Sequence, residues 1–290
     1  MLDEFRQLMG LAHVFTPTLV VLGLLVGSFL NVVIHRLPKM LEANWRRECA
    51  ELQALDTEDA APTFNLLHPR SCCPGCGTQI RAIDNIPLLS FIALRGHCRA
   101  CGNRIPLRYP LVEAGAGMLA WLVAEHFGPG AQALAGIGFC WALLALAVID
   151  LDTMLLPDDL TLPLLWAGLF VNLNGWFIPL ETAVIGAMAG YLSLWLIYQL
   201  FRLVTHKEGM GFGDFKLLAA LGAWLGWQAL PTIVLGAAGV GAITGLSLIA
   251  CRRLGHGKPM PFGPFLAAAG IINLLWGDAL MRLFIPGAGL

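Results

Sequence analysis

Apolar residues in this chain gather into long runs instead of alternating with polar ones. The runs fall near 14–34, 111–127, 131–149, 159–178, 182–201, 215–228, 231–251 and 262–284. Most approach the twenty residues that a helix needs to cross a ~30 Å hydrocarbon core. The sixth is short, and 215–251 also reads as one bent hairpin around GWQALP at 226–231, which would leave seven spans. The pattern predicts an α-helical polytopic membrane protein of about eight transmembrane helices. Only 35–110 is a long polar stretch, and structureless loops of that length are uncommon. It is therefore expected to be a small inserted domain. The division that follows is 1–34 for the tail and first transmembrane helix, 35–110 for the inserted domain and 111–290 for the membrane core.

Composition agrees with this class: 57% of residues are hydrophobic, 13% are charged and the mean hydropathy is +0.72. Soluble domains carry about 25% charged residues. The opening MLDEFRQLMGLAH lacks the basic region of a cleavable signal, so the first run is expected to stay as a helix. The net charge of −1 says less than its distribution. Of the 18 Lys and Arg residues, 10 lie within 35–110. If eight spans alternate, Arg202, Lys207, Lys216, Arg252, Arg253 and Lys258 fall on the same side, making 16 of 18, and only Arg6 and Arg282 fall opposite. By the positive-inside rule that side is the cytoplasm. A seven-span chain would move Arg252 and Arg253 outward, which favours eight. No nucleic-acid partner is expected.

Four of the eight cysteines form two C-x-x-C pairs, Cys73 with Cys76 and Cys98 with Cys101, separated by 21 residues. Each pair can aim two thiolates at one metal, and two pairs complete a closed tetrahedral set. A reducing compartment suits zinc binding over disulfides. The closed set points to a structural zinc, with Cys72 as a possible substitute for Cys73. Between the pairs, TQIRAIDNIPLLSFIALRG reads as a small β-ribbon with aliphatic packing.

Carboxylates at the cytoplasmic ends of the spans are few: Glu113, Asp150, Asp152, Asp158, Asp159, Glu208 and Asp214. Ionisable groups there are costly and often functional. Asp150 ends the third run, and Asp214 begins the sixth after the glycines of EGMGFGD. Brought within hydrogen-bonding range, two such carboxylates share a proton, giving one base and one acid as in an aspartic protease. Gly209, Gly211 and Gly213 permit unusual backbone angles and close approach, so an extended peptide could lie beside Asp214. Alternatively, Asp214 simply caps its helix. Asp152 competes with Asp150, while Asp158 and Asp159 after Pro157 read as a helix start. There is no H-E-x-x-H, and none of the five serines lies in G-x-S-x-G.

Taken together, GLLVGSFLNVVIHRLP (23–38), the cysteine pairs, RYPLVE (108–113), IDLDTMLLPD (149–158), KEGMGFGDFKLL (207–218) and PMPFGPFLA (259–267) strongly resemble the type IV prepilin peptidases. These are bifunctional leader peptidase/N-methyltransferases of bacterial inner membranes. The resemblance covers nearly the whole chain, in its long, cysteine-bearing form. It implies cleavage of the basic leader from type IV prepilins and type II secretion pseudopilins at the cytoplasmic membrane face. It also implies methylation of the new N-terminal amine from S-adenosylmethionine. The catalytic aspartates match Asp150 and Asp214, and the metal ligands match Cys73, Cys76, Cys98 and Cys101. For the methyl donor no residue follows from the resemblance; Glu113, Glu208 and the 35–110 domain are candidates.

Overall fold

A computed structural model describes residues 2–53, 64–207, 209–251 and 260–284. Helices dominate it: α1 (Leu2–Leu52), α2 (Leu89–Ala93), α3 (Arg108–Phe127), α4 (Ala131–Thr153), α5 (Asp158–Asn172), α6 (Leu180–Thr205), α7 (Phe212–Leu225), α8 (Leu230–Ala250) and α9 (Gly263–Phe284). Five of them, α1, α4, α6, α8 and α9, are long and apolar enough to cross a membrane. At 15 and 14 residues, α5 and α7 reach only about 22 Å, short of a full hydrocarbon core.

Two compact units emerge, Met1–Ala133 and Leu134–Leu290. In the first, α1 and α3 pack closely because small residues face each other. A Cβ added at Gly23 would lie 2.8 Å from the Ala116 carbonyl oxygen, and one at Gly27 would lie 2.7 Å from Glu113 Cα. Apolar helices in lipid associate through such small-residue faces, since lipid tails are as apolar as Leu. Asn31 ties the same seam, its side-chain amide donating to the carbonyls of Gly27 and Tyr109. The first helix runs past Pro38 well into the stretch expected to be a separate soluble domain. There the buried Arg36 donates to the carbonyls of Asn65 and Pro69, at 2.9 and 2.6 Å.

No β-ribbon forms between the cysteine pairs. Two isolated bridges, Cys72 with Gln79 and His97 with Arg104, are the only strand-like pairings among the described residues. Between them lie a 3₁₀ turn (Ala82–Asn85) and α2. The physical reason is spacing. Ile80, Ile83, Ile86, Leu89 and Ile92 recur every third residue, which is helical and not the period of two that a strand needs. Pro87 also withholds a backbone donor.

In the second unit α7 is the centre, packed against α5, α6 and α9. Every residue from Leu217 to Trp224 is buried. Close approach of α6 is again made by glycine: a Cβ at Gly190 would lie 2.5 Å from the Leu218 carbonyl oxygen, and Gly186 meets Gly222 backbone to backbone. Asn172 at the end of α5 donates to the Ala223 carbonyl at 2.9 Å, and the Trp224 indole donates to Leu164 O at 2.8 Å. These polar ties satisfy groups that have no water to turn to.

Candidate active site and metal centre

Asp150 sits in the last turn of α4. That helix stops sharply at Met154, whose φ of 56° is left-handed and whose N–H donates to the Asp150 carbonyl at 2.9 Å. Asp214 occupies the first turn of α7, after Gly211 at the cap position. Both side chains are buried, Asp150 5% and Asp214 8% exposed, and they lie close enough for their charges to interact. Asp152 points outward and is exposed. Asp158 begins α5 and pairs with Lys216, whose Nζ stands 2.7 Å from both carboxylate oxygens, while Asp159 is exposed. The structure thus brings two buried carboxylates together and leaves their sequence neighbours at the surface. Glu208 and the basic residues Arg252, Arg253 and Lys258 lie outside the described residues.

The glycines ahead of Asp214 act differently from the expectation of unusual backbone angles. None has a positive φ. A Cβ at Gly213 would lie 2.7 Å from Leu156 Cβ, and one at Gly209 would lie 2.7 Å from the Phe201 ring. Gly209 and Gly213 permit close packing, whereas a Cβ on Gly211 would meet open space. In particular, Gly213 lets α7 approach the short connection that follows Asp150.

One participant has no signature in the sequence reading. At the start of α9, the backbone N–H of Gly263 donates to Asp150 Oδ2 at 2.9 Å. A Cβ on Gly263 would lie 2.6 Å from that oxygen and 3.2 Å from Asp150 Cγ, so no larger residue fits without moving the carboxylate. In the sequence reading Gly263 figures only within PMPFGPFLA, a segment of the family resemblance that assigned it no role.

In the first unit the Sγ atoms of Cys73, Cys76, Cys98 and Cys101 all lie within 4.8 Å of one another, with Cys73 and Cys101 3.8 Å apart. Zn–S bonds of ~2.3 Å in a tetrahedron place sulfurs about 3.8 Å apart, so the donor set has the size of a metal site. The two pairs repeat one turn. Gly77 and Gly102, at φ of 70° and 69°, donate to the carbonyls of Cys73 and Cys98, which in turn donate to Thr78 and Asn103 carbonyls. Cys72 is not part of the cluster. The Thr78 hydroxyl and backbone push the Cys76 thiol down to about 6, and the Cys101 and Ala100 backbone lowers Cys98. Cys101 goes the other way, up to about 11: the Asn103 backbone lowers it, but the Cys76, Cys98 and Cys73 sulfurs crowd it. Four sulfurs this close cannot all carry charge unless a cation sits among them.

Glu113, considered for the methyl donor, is engaged within its own unit. Its Oε2 accepts the Leu88 N–H at 2.9 Å, and the Ser28 side chain is a further partner.

Comparison with known proteins adds to this geometry. The family model for the bacterial peptidase A24 N-terminal domain matches residues 21–127, and that for the type IV leader peptidase family matches 137–246. The prepilin leader peptidase/N-methyltransferase of Aeromonas hydrophila is 55% identical over 95% of this chain and 96% of its own length. That of Pseudomonas aeruginosa is 54% identical, covering 95% of each chain. The chain belongs to the type IV leader peptidase family. A third relative, of the same name in Burkholderia pseudomallei, is 56% identical over 91% of this chain and 86% of its own. No solved structure matches this family member.

Proposed function

We propose that this chain is a membrane aspartic endopeptidase that cuts the leader from type IV prepilins and type II secretion pseudopilins and methylates the amine so released. The observation that carries the reading is the burial of Asp150 and Asp214 at the ends of two helices, near enough for their charges to interact, in a chain that aligns over 95% of its length with a prepilin leader peptidase/N-methyltransferase. Eight helices sit in the bacterial inner membrane, five of them long and apolar enough to cross it alone, with the cysteine module and the two aspartates at the cytoplasmic face. The charge distribution supports that orientation.

One carboxylate of the pair is ionised and the other protonated. The ionised one takes a proton from a water held between them, and the water oxygen adds to the scissile carbonyl carbon. Its partner gives its proton to the carbonyl oxygen. Collapse of the tetrahedral adduct then breaks the C–N bond, and the departing nitrogen receives the proton first taken from water. The Gly263 N–H fixes Asp150 Oδ2, which leaves Oδ1 for the water. A prepilin changes from polar leader to apolar helix at its cut site, so a dyad at the ends of membrane helices meets that site without pulling polar chain into lipid.

Cys73, Cys76, Cys98 and Cys101 would hold a structural zinc, which supplies charge to bind the four sulfurs and cross-link the two turns. S-adenosylmethionine supplies an electrophilic methyl group for the new amine. The Glu113 carboxylate, engaged by Leu88 and Ser28, is not assigned to it.

The test is processing of a co-expressed prepilin by Asp150→Asn, Asp214→Asn and Asp152→Asn at matched protein levels. Cleavage should fall about 10²- to 10⁴-fold in the first two, the size of a lost acid or base, and persist in the third. Full processing by Asp150→Asn or Asp214→Asn would refute the dyad.

A further inference from the structure

The aliphatic row of the cysteine module is exposed and is covered by none of the described residues. Ile83, Leu89 and Ile92 are 72%, 66% and 69% exposed, and Ile80 and Ile86 are exposed beside them. Contiguous apolar surface of this kind marks an interaction site.

Its position along α1 indicates what covers it. The bond from Leu88 to Glu113 fixes the start of α2 against α3, and Glu113 in turn bonds Ser28 and packs on Gly27 of α1. Ser28 precedes Arg36, the first basic residue after the apolar run, by eight positions. At 1.5 Å per residue that is about 12 Å along the helix. Arg36 binds Asn65 and Pro69, so this polar part of the module sits at the Arg36 end. The segment carrying the aliphatic row hangs well below it, beside the apolar part of α1 and α3. At that depth those helices also present apolar side chains outward, Leu25 and Leu111 among them.

Two further observations fit a lipid surround. Around α2 several backbone donors are satisfied internally: Leu88 by Glu113, Ser90 by Ile86, Ile92 by Leu88, Leu94 by Ser90 and Gly96 by Phe91. Backbone at membrane depth requires this. The charges sit at the ends. Exposed Arg81 and Arg95 flank Ile83 to Ile92, and the one acid between them, Asp84, is held by Arg99 at 2.6 Å.

We propose that residues 80–95 are an interfacial anchor, the aliphatic row seated among the acyl chains of the leaflet nearest the cysteine module and Arg81 and Arg95 at phospholipid phosphates. Long basic side chains reach the headgroups from such positions, and anionic lipid favours them. The anchor holds the module at a fixed height on the bilayer.

Photo-crosslinking of the full chain tests this, in nanodiscs of phosphatidylethanolamine and phosphatidylglycerol with a prepilin present. Benzoylphenylalanine replaces Ile83, Leu89 or Ile92 one at a time, and Arg70 at the polar end serves as reference. Metal content of each variant reports that the module has folded. Phospholipid adducts should exceed the Arg70 level at least about tenfold at all three positions, because acyl chains are reachable only from within the leaflet. Adducts to the prepilin instead would make the row a substrate-docking face and overturn the proposal. Adducts within the chain, or lipid adducts no more frequent than at Arg70, would overturn it as well.

Discussion

At the scale of single residues, the candidate site depends on one backbone donor as much as on two carboxylates. Gly263 supplies the N–H that orients Asp150 and has no room for a methyl group. Gly263→Ala is expected to lower kcat for leader cleavage by up to about a hundredfold through displacement of the Asp150 carboxylate. KM for the prepilin should hold, and methyl transfer to a pre-cleaved pilin by the same preparation should be retained. Equal loss of both activities would mean the variant had simply misfolded. Asp158→Asn gives a contrasting result. The ion pair with Lys216 is largely exposed, with side-chain exposures of 29% and 53%, and such pairs contribute under ~1 kcal/mol. Cleavage by this variant should stay within about twofold of the parent, since the lost pair touches neither aspartate. These residues differ in how visible they were beforehand. Asp150 and Asp214 stand out because a carboxylate ending an apolar run is rare. Gly263 did not, because a backbone donor leaves no trace in side-chain identity and its acceptor lies 113 positions away.

Among the helices, glycine decides where two backbones can touch. Gly186 on α6 and Gly222 on α7 face each other with no space for a Cβ on either. Gly186→Ala forces the pair apart and should cost about 1–3 kcal/mol, the usual penalty of overpacking. Thermal unfolding in detergent would read this as a lowered midpoint, with cleavage lost in proportion to unfolded protein. The apolar runs made the membrane-type helices legible, the short α7 included, although only five of those described are long and apolar enough to cross a membrane. They could not show that α1 continues to Leu52, because the polar composition after Arg36 suits a cytoplasmic helix and a loop equally. The segment between the cysteine pairs was misread for another reason. Its aliphatic residues were taken to fill an interior, whereas a spacing of three on 3₁₀ and α turns lines up a single outer face.

For the whole molecule, the division into two units predicts how it comes apart. The cysteine module holds its two turns together mainly through four sulfurs, since its aliphatic side chains do not form a core. Chelation, or Cys98→Ser, should therefore raise hydrogen exchange within 64–107 first. Amides of α7, buried from Leu217 to Trp224, should stay protected. Loss of protection in α7 at the same chelator concentration would show that the units unfold as one. The gathering of the four cysteines was readable from spacing, because a C-x-x-C turn encodes its own geometry.

The separation of 113 positions between Asp150 and the donor that orients it also has a meaning in time. A ribosome delivers Asp150 first, Asp214 some sixty residues later, and Gly263 only with the final helix. A nascent chain that already carries both aspartates still lacks the contact that aims the first of them. A chain truncated between Asp214 and Gly263 is therefore expected to cleave a prepilin far more slowly than the parent at matched protein level.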